Sequence, residues 1–396
     1  MKNNLSLEEK GSGLTGAEAV AEAMRQIEPG VVPIYPITPQ TPIIEKFAKL
    51  VANGRAKSEI ITAESEHSVM SIAIGASLAG VRTATASSSV GLALMYEVLN
   101  VVSGMRLPVV MNVVNRTLSA PINIHCDHSD SMGVRDAGWI QIYSESAQEA
   151  YDHNFLATRL AEHPEVFLPV MVMQDGFITS HLLEKVELLL DEEVKDFIGD
   201  YKYPDSVFSS KEPKTFGPLV LPEHFFKIKV EQARAMDVAK KVYQEVSTEL
   251  TKITGREYPE VETFQIEKDT EAVIVVMSSA AGTAKAVAKR LIKKGQKVGV
   301  IKIRLFRPFP YEELGEILKN IKKIAVLDRS FSFGSFPPLY SEVVSTLHLT
   351  GKRFEQKIQS YVFGLGGRDL REKDIKKVYQ ELLQDKFSAE TKFLNL

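Results

Sequence analysis

The chain has a single cysteine, Cys126, among its 396 residues. That excludes an internal disulfide, and it excludes a four-thiolate iron–sulfur cluster built from this chain alone. No run approaches the roughly 18 apolar residues that a membrane-spanning helix needs. There is no basic block, and the net charge of −3 gives no support for nucleic-acid binding. Neither a short repeat nor a low-complexity tail is present. The first ten residues, Met1 to Lys10, lack the apolar core of a secretory signal, so a cytoplasmic location is expected. Hydrophobic residues at 44% and charged residues at 25% are the proportions of a globular protein, and the length is that of two domains.

What the chain does have is a stiff turn after its first apolar run. Gly30 to Tyr35 reads as a buried strand that stops at Pro36, Pro39 and Pro42. Proline fixes its own φ and pushes the preceding residue toward extended geometry, so neither a ladder nor a helix continues there. A rigid turn at the carboxyl end of a strand, with the Thr38 hydroxyl at its apex, suits a ligand contact in an open α/β sheet. It equally suits a plain lead into the helix that follows.

Helix and strand alternate around that turn. Thr15 to Ile27 has a threonine cap, an acid at Glu18 and apolar residues at helical spacing. Further helices are expected over 42–52, 66–78, near 92–102 and over 147–161, with strands over 59–62, 83–86, 109–114, 139–143 and 169–174. Near-continuous apolar strands joined by helices indicate a mostly parallel, doubly wound sheet. Residues 186–268 break the rhythm with the acidic run Leu190-Asp191-Glu192-Glu193, a polar stretch from Tyr201 to Pro222 and a long helix from about Val230 to Ile253, an arm between domains. Alternation resumes at Glu271, with strands over 272–277, 297–303, 323–328 and 358–363 and helices over 282–294, 311–319 and 338–347. This is a second, smaller α/β domain.

Several positions could carry chemistry. Glu66 opens a helix of small and apolar residues directly after a strand; a carboxylate there gains from the helix dipole, but burial of this first turn is expected and suits it to be a proton donor, while Ser65 with Glu66 also reads as an ordinary cap. Arg116 follows the most apolar strand, where its fork would face the crevice and match a carboxylate, or form a surface ion pair. His125-Cys126-Asp127-His128 has metal-ligand types without the paired spacing of a zinc site, so a polar loop at the crevice rim is preferred and no metal is expected. Ser87-Ser88-Ser89-Val90-Gly91 could offer N–H groups to an anion or be a capped turn. Gly364-Leu365-Gly366-Gly367-Arg368-Asp369 reads as a tight turn near an interface, and Ser279 to Lys285 as a plain helix entry.

The order of these segments is more specific than any one of them. Tyr35-Pro36-Ile37-Thr38-Pro39, Ser65-Glu66-His67, Ser88 to Met95, Asn115-Arg116, Asp127-His128-Ser129-Asp130 with Gly138-Trp139, Asp175-Gly176-Phe177, Arg307-Pro308-Phe309-Pro310 and Gly364 to Asp369 resemble, from about Gly13 to Asp369, the alpha subunit of pyruvate:ferredoxin oxidoreductases in the 2-oxoacid:ferredoxin oxidoreductase superfamily. The resemblance implies a doubly wound α/β pyrimidine-binding domain of a thiamine diphosphate enzyme over 1–250, with the linker arm from about 186, then a smaller α/β transketolase C-terminal-like domain over 251–396. It implies that Glu66 contacts N1′ of the cofactor's aminopyrimidine with Ile37 beside it, and that Thr38 and Arg116 bind the substrate, Arg116 clamping the oxoacid carboxylate.

The implied reaction is oxidative decarboxylation of pyruvate with coenzyme A, giving acetyl-CoA and CO2 and passing electrons to ferredoxin. This chain lacks the Gly-Asp-Gly motif for diphosphate and Mg²⁺, Gln174-Asp175-Gly176 being the nearest approach, and it lacks cluster cysteines. The resemblance therefore puts the diphosphate and Mg²⁺ on a beta subunit and [4Fe-4S] clusters on ferredoxin-like gamma and delta subunits. Three other readings stay open: the same chemistry on another 2-oxoacid, the pyrimidine-domain chain of a lipoyl-linked 2-oxoacid dehydrogenase, and a non-catalytic scaffold.

Overall fold

The computed structural model describes residues 11–208, 213–349 and 356–396. The segment Met1 to Lys10, read above for a signal, and residues 209–212 of the polar stretch lie outside the described residues.

In chain order, β1 (Ser12–Thr15) leads into the helix Gly16–Ile27. Then come β2 (Val31–Ile34), the helix Thr41–Ala52, β3 (Glu59–Thr62), the helix Glu66–Leu78 and β4 (Ala84–Ser87). Short helices Val90–Leu94 and Tyr96–Gly104 precede β5 (Val110–Asn115), followed by the helical turn Ser129–Gly133, β6 (Ile140–Tyr143), the helix Ala147–Ala161, β7 (Val170–Asp175) and β8 (Leu183–Val186). Helices Asp191–Ile198 and Pro222–Thr254 form the connection. The second part runs β9 (Val261–Phe264), β10 (Ala272–Met277), helix Ala280–Ile292, β11 (Val298–Ile303), β12 (Leu305–Arg307), helix Tyr311–Leu318, β13 (Lys323–Asp328), helix Pro338–Leu349, β14 (Lys357–Val362), helix Glu372–Leu383 and β15 (Lys392–Phe393).

The local signals account for most of these elements. Thr15 caps the first helix reciprocally: its hydroxyl accepts from the Glu18 N–H at 3.2 Å, and the Glu18 carboxylate accepts from the Thr15 N–H at 3.1 Å. β5, β7, β10 and β11 are buried along their whole length, as strands covered on both faces must be. The first sheet has the order β12-β6-β7-β5-β4, parallel except for β12, and the pair β2–β3 is joined to it through a bridge from Val31 to Thr83. The second sheet has the order β15-β14-β13-β10-β11-β9 and is parallel except for β9.

Three features differ from the sequence reading. β9 and β12 are short antiparallel edge strands whose partners lie far away in sequence, so no local pattern marks them; β12 leaves its sequence neighbours to pair with β6 of the first sheet. The helix expected near 92–102 is two helices, broken at Met95 where ψ is 7°. The long helix starts at Pro222, where the missing N–H costs nothing.

One hydrophobic cluster runs across both sheets, from Met111, Trp139 and Tyr143 through Phe306 to Val275, Ile303 and Val326. Beside it lies a buried charge network. The Lys302 ammonium, 1% exposed, reaches Glu145, Glu149 and Glu262 at 2.6 to 2.7 Å, and Arg304 joins Glu149 at 3.0 Å. Burial opposes charge on Glu262, yet the Lys302 and Arg304 cations prevail and hold its carboxyl down at about 2. A carboxyl depressed on folding adds stability above its unfolded pKa and loses it as pH falls through the folded one. The seam between the sheets should therefore weaken as pH falls from about 4.5 toward 2. Lys302→Ala leaves Lys285 and Arg304 alone to face three carboxylates in this seam, one buried negative charge in excess, and should cost about 3–5 kcal/mol in chemical denaturation at pH 7. A loss under 1 kcal/mol would show that the seam is not held this way.

Candidate active site

The parallel strands β2, β3, β4, β5 and β7 end on one edge of the first sheet, and the segments that leave them build the crevice. Such edges are where open α/β sheets bind ligands. Ile37 and Thr38 follow β2, Glu66 follows β3, Ser88 to Gly91 follow β4, and Arg116 follows β5.

Glu66 is the first residue of its helix, 6% exposed, with Ser65 as the cap that accepts from the Ser68 N–H. The cap reading and the buried-carboxyl reading thus both hold, one for each residue. The helix Val90–Leu94 comes so close to the Glu66 carboxyl that a Cβ on Gly91 would lie 2.8 Å from its Oε1 and 2.5 Å from the Ser87 hydroxyl. Only glycine allows that approach. Among the described residues no group donates a hydrogen bond to the Glu66 carboxyl. A buried acid at a helix N-terminus without a protein partner is equipped to bond a ligand.

Arg116 is 7% exposed, and two of its three guanidinium nitrogens are held. Its Nη1 donates to the Thr38 carbonyl at 2.9 Å and its Nε to the Asn123 carbonyl at 3.2 Å. Nη2 has no protein acceptor among the described residues, which leaves donors of the fork for an anion. Among the described residues no carboxylate pairs with it, in place of the surface ion pair that the sequence also allowed. Thr38 itself exposes its side chain on the turn, and Ile37, half-buried, accepts the Gln40 and Thr41 N–H groups through its carbonyl. Thr38 and Arg116 therefore meet directly, whereas Glu66 is connected to them through Gly91, Ser89 and Asp130.

Asp130 makes that connection. One of its oxygens accepts the N–H groups of Ser89 at 3.0 Å and Arg116 at 2.9 Å, and the other accepts Asn115 Nδ2 at 2.8 Å and the Ser131 N–H at 2.7 Å. Complete burial outweighs these four donors and pushes its carboxyl up to about 6. Ser89 is held at φ 48° and ψ −123°, a conformation costly for a residue with a Cβ, and the contact from Asp130 is what holds it there.

A second buried carboxylate lies at the end of β7. Asp175 Oδ1 is 2.7 Å from His128 Nε2, and its Oδ2 accepts from Arg329 Nη1 at 2.7 Å, from the Ser279 N–H at 3.2 Å and from the Ser279 hydroxyl. Against the penalty of burial, Arg329 and His128 hold Asp175 well below the usual carboxylate range. Three of the four residues in the run from His125 to His128 are buried, so this segment is a joint between the sheets more than a rim. Cys126, His128 and Asp175 lie close enough to share an ion, but the Arg329 guanidinium stands among them, 3.8 Å from the thiol. Burial pushes the Cys126 thiol up, which makes it a poor ligand. Ser279, read as a plain helix entry, donates its N–H and its hydroxyl to the Asp175 carboxylate. The roles of Asp130, Asp175 and Arg329 escaped sequence reasoning, because each depends on partners brought from 14 to 154 positions away.

Comparison with known proteins gives a consistent assignment. The model of the pyruvate flavodoxin/ferredoxin oxidoreductase family, thiamine diphosphate-binding part, matches residues 22–248, and that of pyruvate:ferredoxin oxidoreductase core domain II matches 270–375. The chain is 50% identical to pyruvate synthase subunit PorA of Thermotoga maritima over 97% of each chain. It is 42% identical to ketoisovalerate oxidoreductase subunit VorA of Pyrococcus abyssi over 93% of this chain and 92% of that one. Among solved structures, the 2-oxoglutarate:ferredoxin oxidoreductase of Magnetococcus marinus superposes with a TM-score of 0.71 at 19% identity over 94% of this chain and 66% of that one. At that identity the likeness speaks for the fold.

Asp130→Asn replaces two lone pairs by an N–H donor that faces buried N–H groups. It should cost about 2–3 kcal/mol in chemical denaturation, the penalty of a buried donor left unpaired. An unchanged midpoint would refute the role given to Asp130.

Proposed function

The chain belongs to the pyruvate flavodoxin/ferredoxin oxidoreductase family as its alpha subunit, and from that premise we propose that it works in a thiamine diphosphate-dependent complex that oxidatively decarboxylates pyruvate, transfers the acetyl group to coenzyme A and reduces ferredoxin. The observation that carries this reading is the half-pinned fork of Arg116, held on the Thr38 carbonyl with Nη2 unspent. A guanidinium fixed through Nε and Nη1, with Nη2 left over, suits a carboxylate, and fixing it beforehand lowers the entropy cost of placing the oxoacid.

The residues present fit the pyrimidine end of the cofactor. Glu66 offers a buried carboxyl, without a donor among the described residues, for the ring nitrogen, with Ile37 on the neighbouring turn, and Gly91 keeps the space beside it clear. Bound thiamine diphosphate supplies the electron sink for decarboxylation. Glu66 would hold a proton at N1′, Arg116 would bind the carboxylate of the oxoacid, and Thr38 would donate a hydrogen bond to it. Residues 1–250 form the pyrimidine-binding unit in this reading and residues 251–396 its companion.

The diphosphate with its Mg²⁺, and the [4Fe-4S] clusters, are assigned to a beta subunit and to ferredoxin-like gamma and delta subunits of a cytoplasmic complex. Two observations support a partner beside the site. Val90, Leu94, Tyr96 and Val101 are exposed apolar residues flanking Gly91. The helix Glu66–Leu78 exposes His67, Ser71 and Gly75, spaced four apart along one face whose side chains at 71 and 75 are small enough for close approach.

The deciding assay is anaerobic, coenzyme A-dependent reduction of a viologen dye by the assembled complex, with pyruvate compared against 2-oxoglutarate and 2-oxoisovalerate. Fast reduction with pyruvate alone supports the proposal. A preference for 2-oxoisovalerate, the acid of the 42% identical relative by its name, would keep the chemistry and replace the substrate. Glu66→Gln should lower kcat at least about 100-fold while the complex still assembles; unchanged turnover refutes the role of Glu66. Arg116→Ala should raise KM for pyruvate about 10- to 100-fold and leave KM for coenzyme A within about twofold, as loss of a charged hydrogen bond predicts. Equal effects on both substrates would count against the clamp.

A further inference from the structure

The turn Gly364 to Gly367 ends β14 of the second sheet and is unused by the proposed chemistry. It presses on the loop that carries Arg116. The Gly367 N–H donates to the Cys126 carbonyl at 2.7 Å, the Gly366 N–H to Asp127 Oδ2 at 3.2 Å, and the Gly366 carbonyl accepts from Asn123 Nδ2 at 3.0 Å. The fit is close. Gly366 has φ 62°, and a Cβ on it would stand 2.6 Å from Asn123 Nδ2; on Gly367, at φ 80°, a Cβ would stand 2.3 Å from the Cβ of His125. Both positions need glycine for backbone and for space.

Asn123 uses three groups to join the two sides. Its Nδ2 reaches across to Gly366, its Oδ1 accepts the His125 N–H at 2.8 Å and so folds the loop locally, and its backbone carbonyl accepts from Arg116 Nε at 3.2 Å. The carbonyl is therefore one of the two anchors of the guanidinium, the other being Thr38. An arginine side chain has several rotatable bonds, and two fixed acceptors, one on Nε and one on Nη1, determine where its remaining donors point.

We propose that Asn123 is a positioning residue for the oxoacid: the glycine turn of the second sheet, acting through Asn123, sets the direction of the Arg116 fork, so that carboxylate binding depends on the docking of the second unit onto the first. The proposal rests on Arg116 being the carboxylate clamp. Asn123 touches no reacting atom and acts only through Arg116. Since orientation of the fork governs capture of the carboxylate, its loss appears in KM for the oxoacid.

The test uses the assembled complex and steady-state kinetics. Asn123→Asp keeps the Oδ1 acceptor for the His125 N–H and removes the donor to Gly366. It should raise KM for pyruvate about fivefold to tenfold, the size expected for one hydrogen bond, with KM for coenzyme A within about twofold. Arg116→Lys keeps a cation but has no Nε to bond Asn123, so adding Asn123→Asp to it should produce no further rise. Gly366→Ala attacks the same contact from the other side and should give the same selective rise, which keeps the test open if the aspartate variant does not assemble.

A full additional effect of Asn123→Asp in the lysine background would overturn the proposal, because Asn123 would then act independently of Arg116. An unchanged KM for pyruvate in both Asn123→Asp and Gly366→Ala, while Arg116→Ala still raises it, would overturn the proposal and leave the clamp standing. An unchanged KM in Arg116→Ala would remove the clamp itself and the proposal with it.

Discussion

A fully buried carboxylate, Asp175, at the carboxyl end of a central strand holds the two halves of this chain in register. It takes an arginine and a serine from the second sheet and a histidine from the loop of the first, all within hydrogen-bonding distance. A buried charge is stable only while its partners are in place, so such a site tolerates little variation in how the sheets meet. The apolar core that crosses between the sheets supplies adhesion with little directional preference. The ionic contacts at Asp175, together with those around Lys302, supply the direction.

The crevice depends on that alignment. Asp130 ties the loop after β4 to the loop after β5, and its contacts hold Ser89 in a conformation that a serine would not adopt alone. Arg116 is fixed by one carbonyl from the proline turn and one from the loop that the glycine turn of the second sheet holds. The carboxyl of Glu66, in contrast, receives no hydrogen bond from any described residue. The chain thus spends its buried hydrogen bonds on positioning and leaves free donors and an acceptor where a ligand would bind. Val90, Leu94 and Tyr96 leave apolar surface exposed close to Gly91 in the sequence.

The sequence by itself determined the alternation of buried strands and helices, because apolar runs and helical caps are local signals: β3 and the helix Glu66–Leu78 fall where periodicity places them, and Thr15 caps as its spacing with Glu18 requires. It also marked Thr38, Glu66 and Arg116 as candidates, since each follows a strand on the edge where ligands bind. Only the tertiary structure decided which of them touch. Arg116 meets the carbonyl of Thr38 across 78 positions, Asp175 meets Arg329 across 154, and β12 leaves its own sheet to pair with β6. The physical reason is one of range: propensity and capping act over a turn of helix or a strand, whereas a buried charge finds its partner only when whole sheets have packed, and nothing in the residues near Asp175 names Arg329 as that partner.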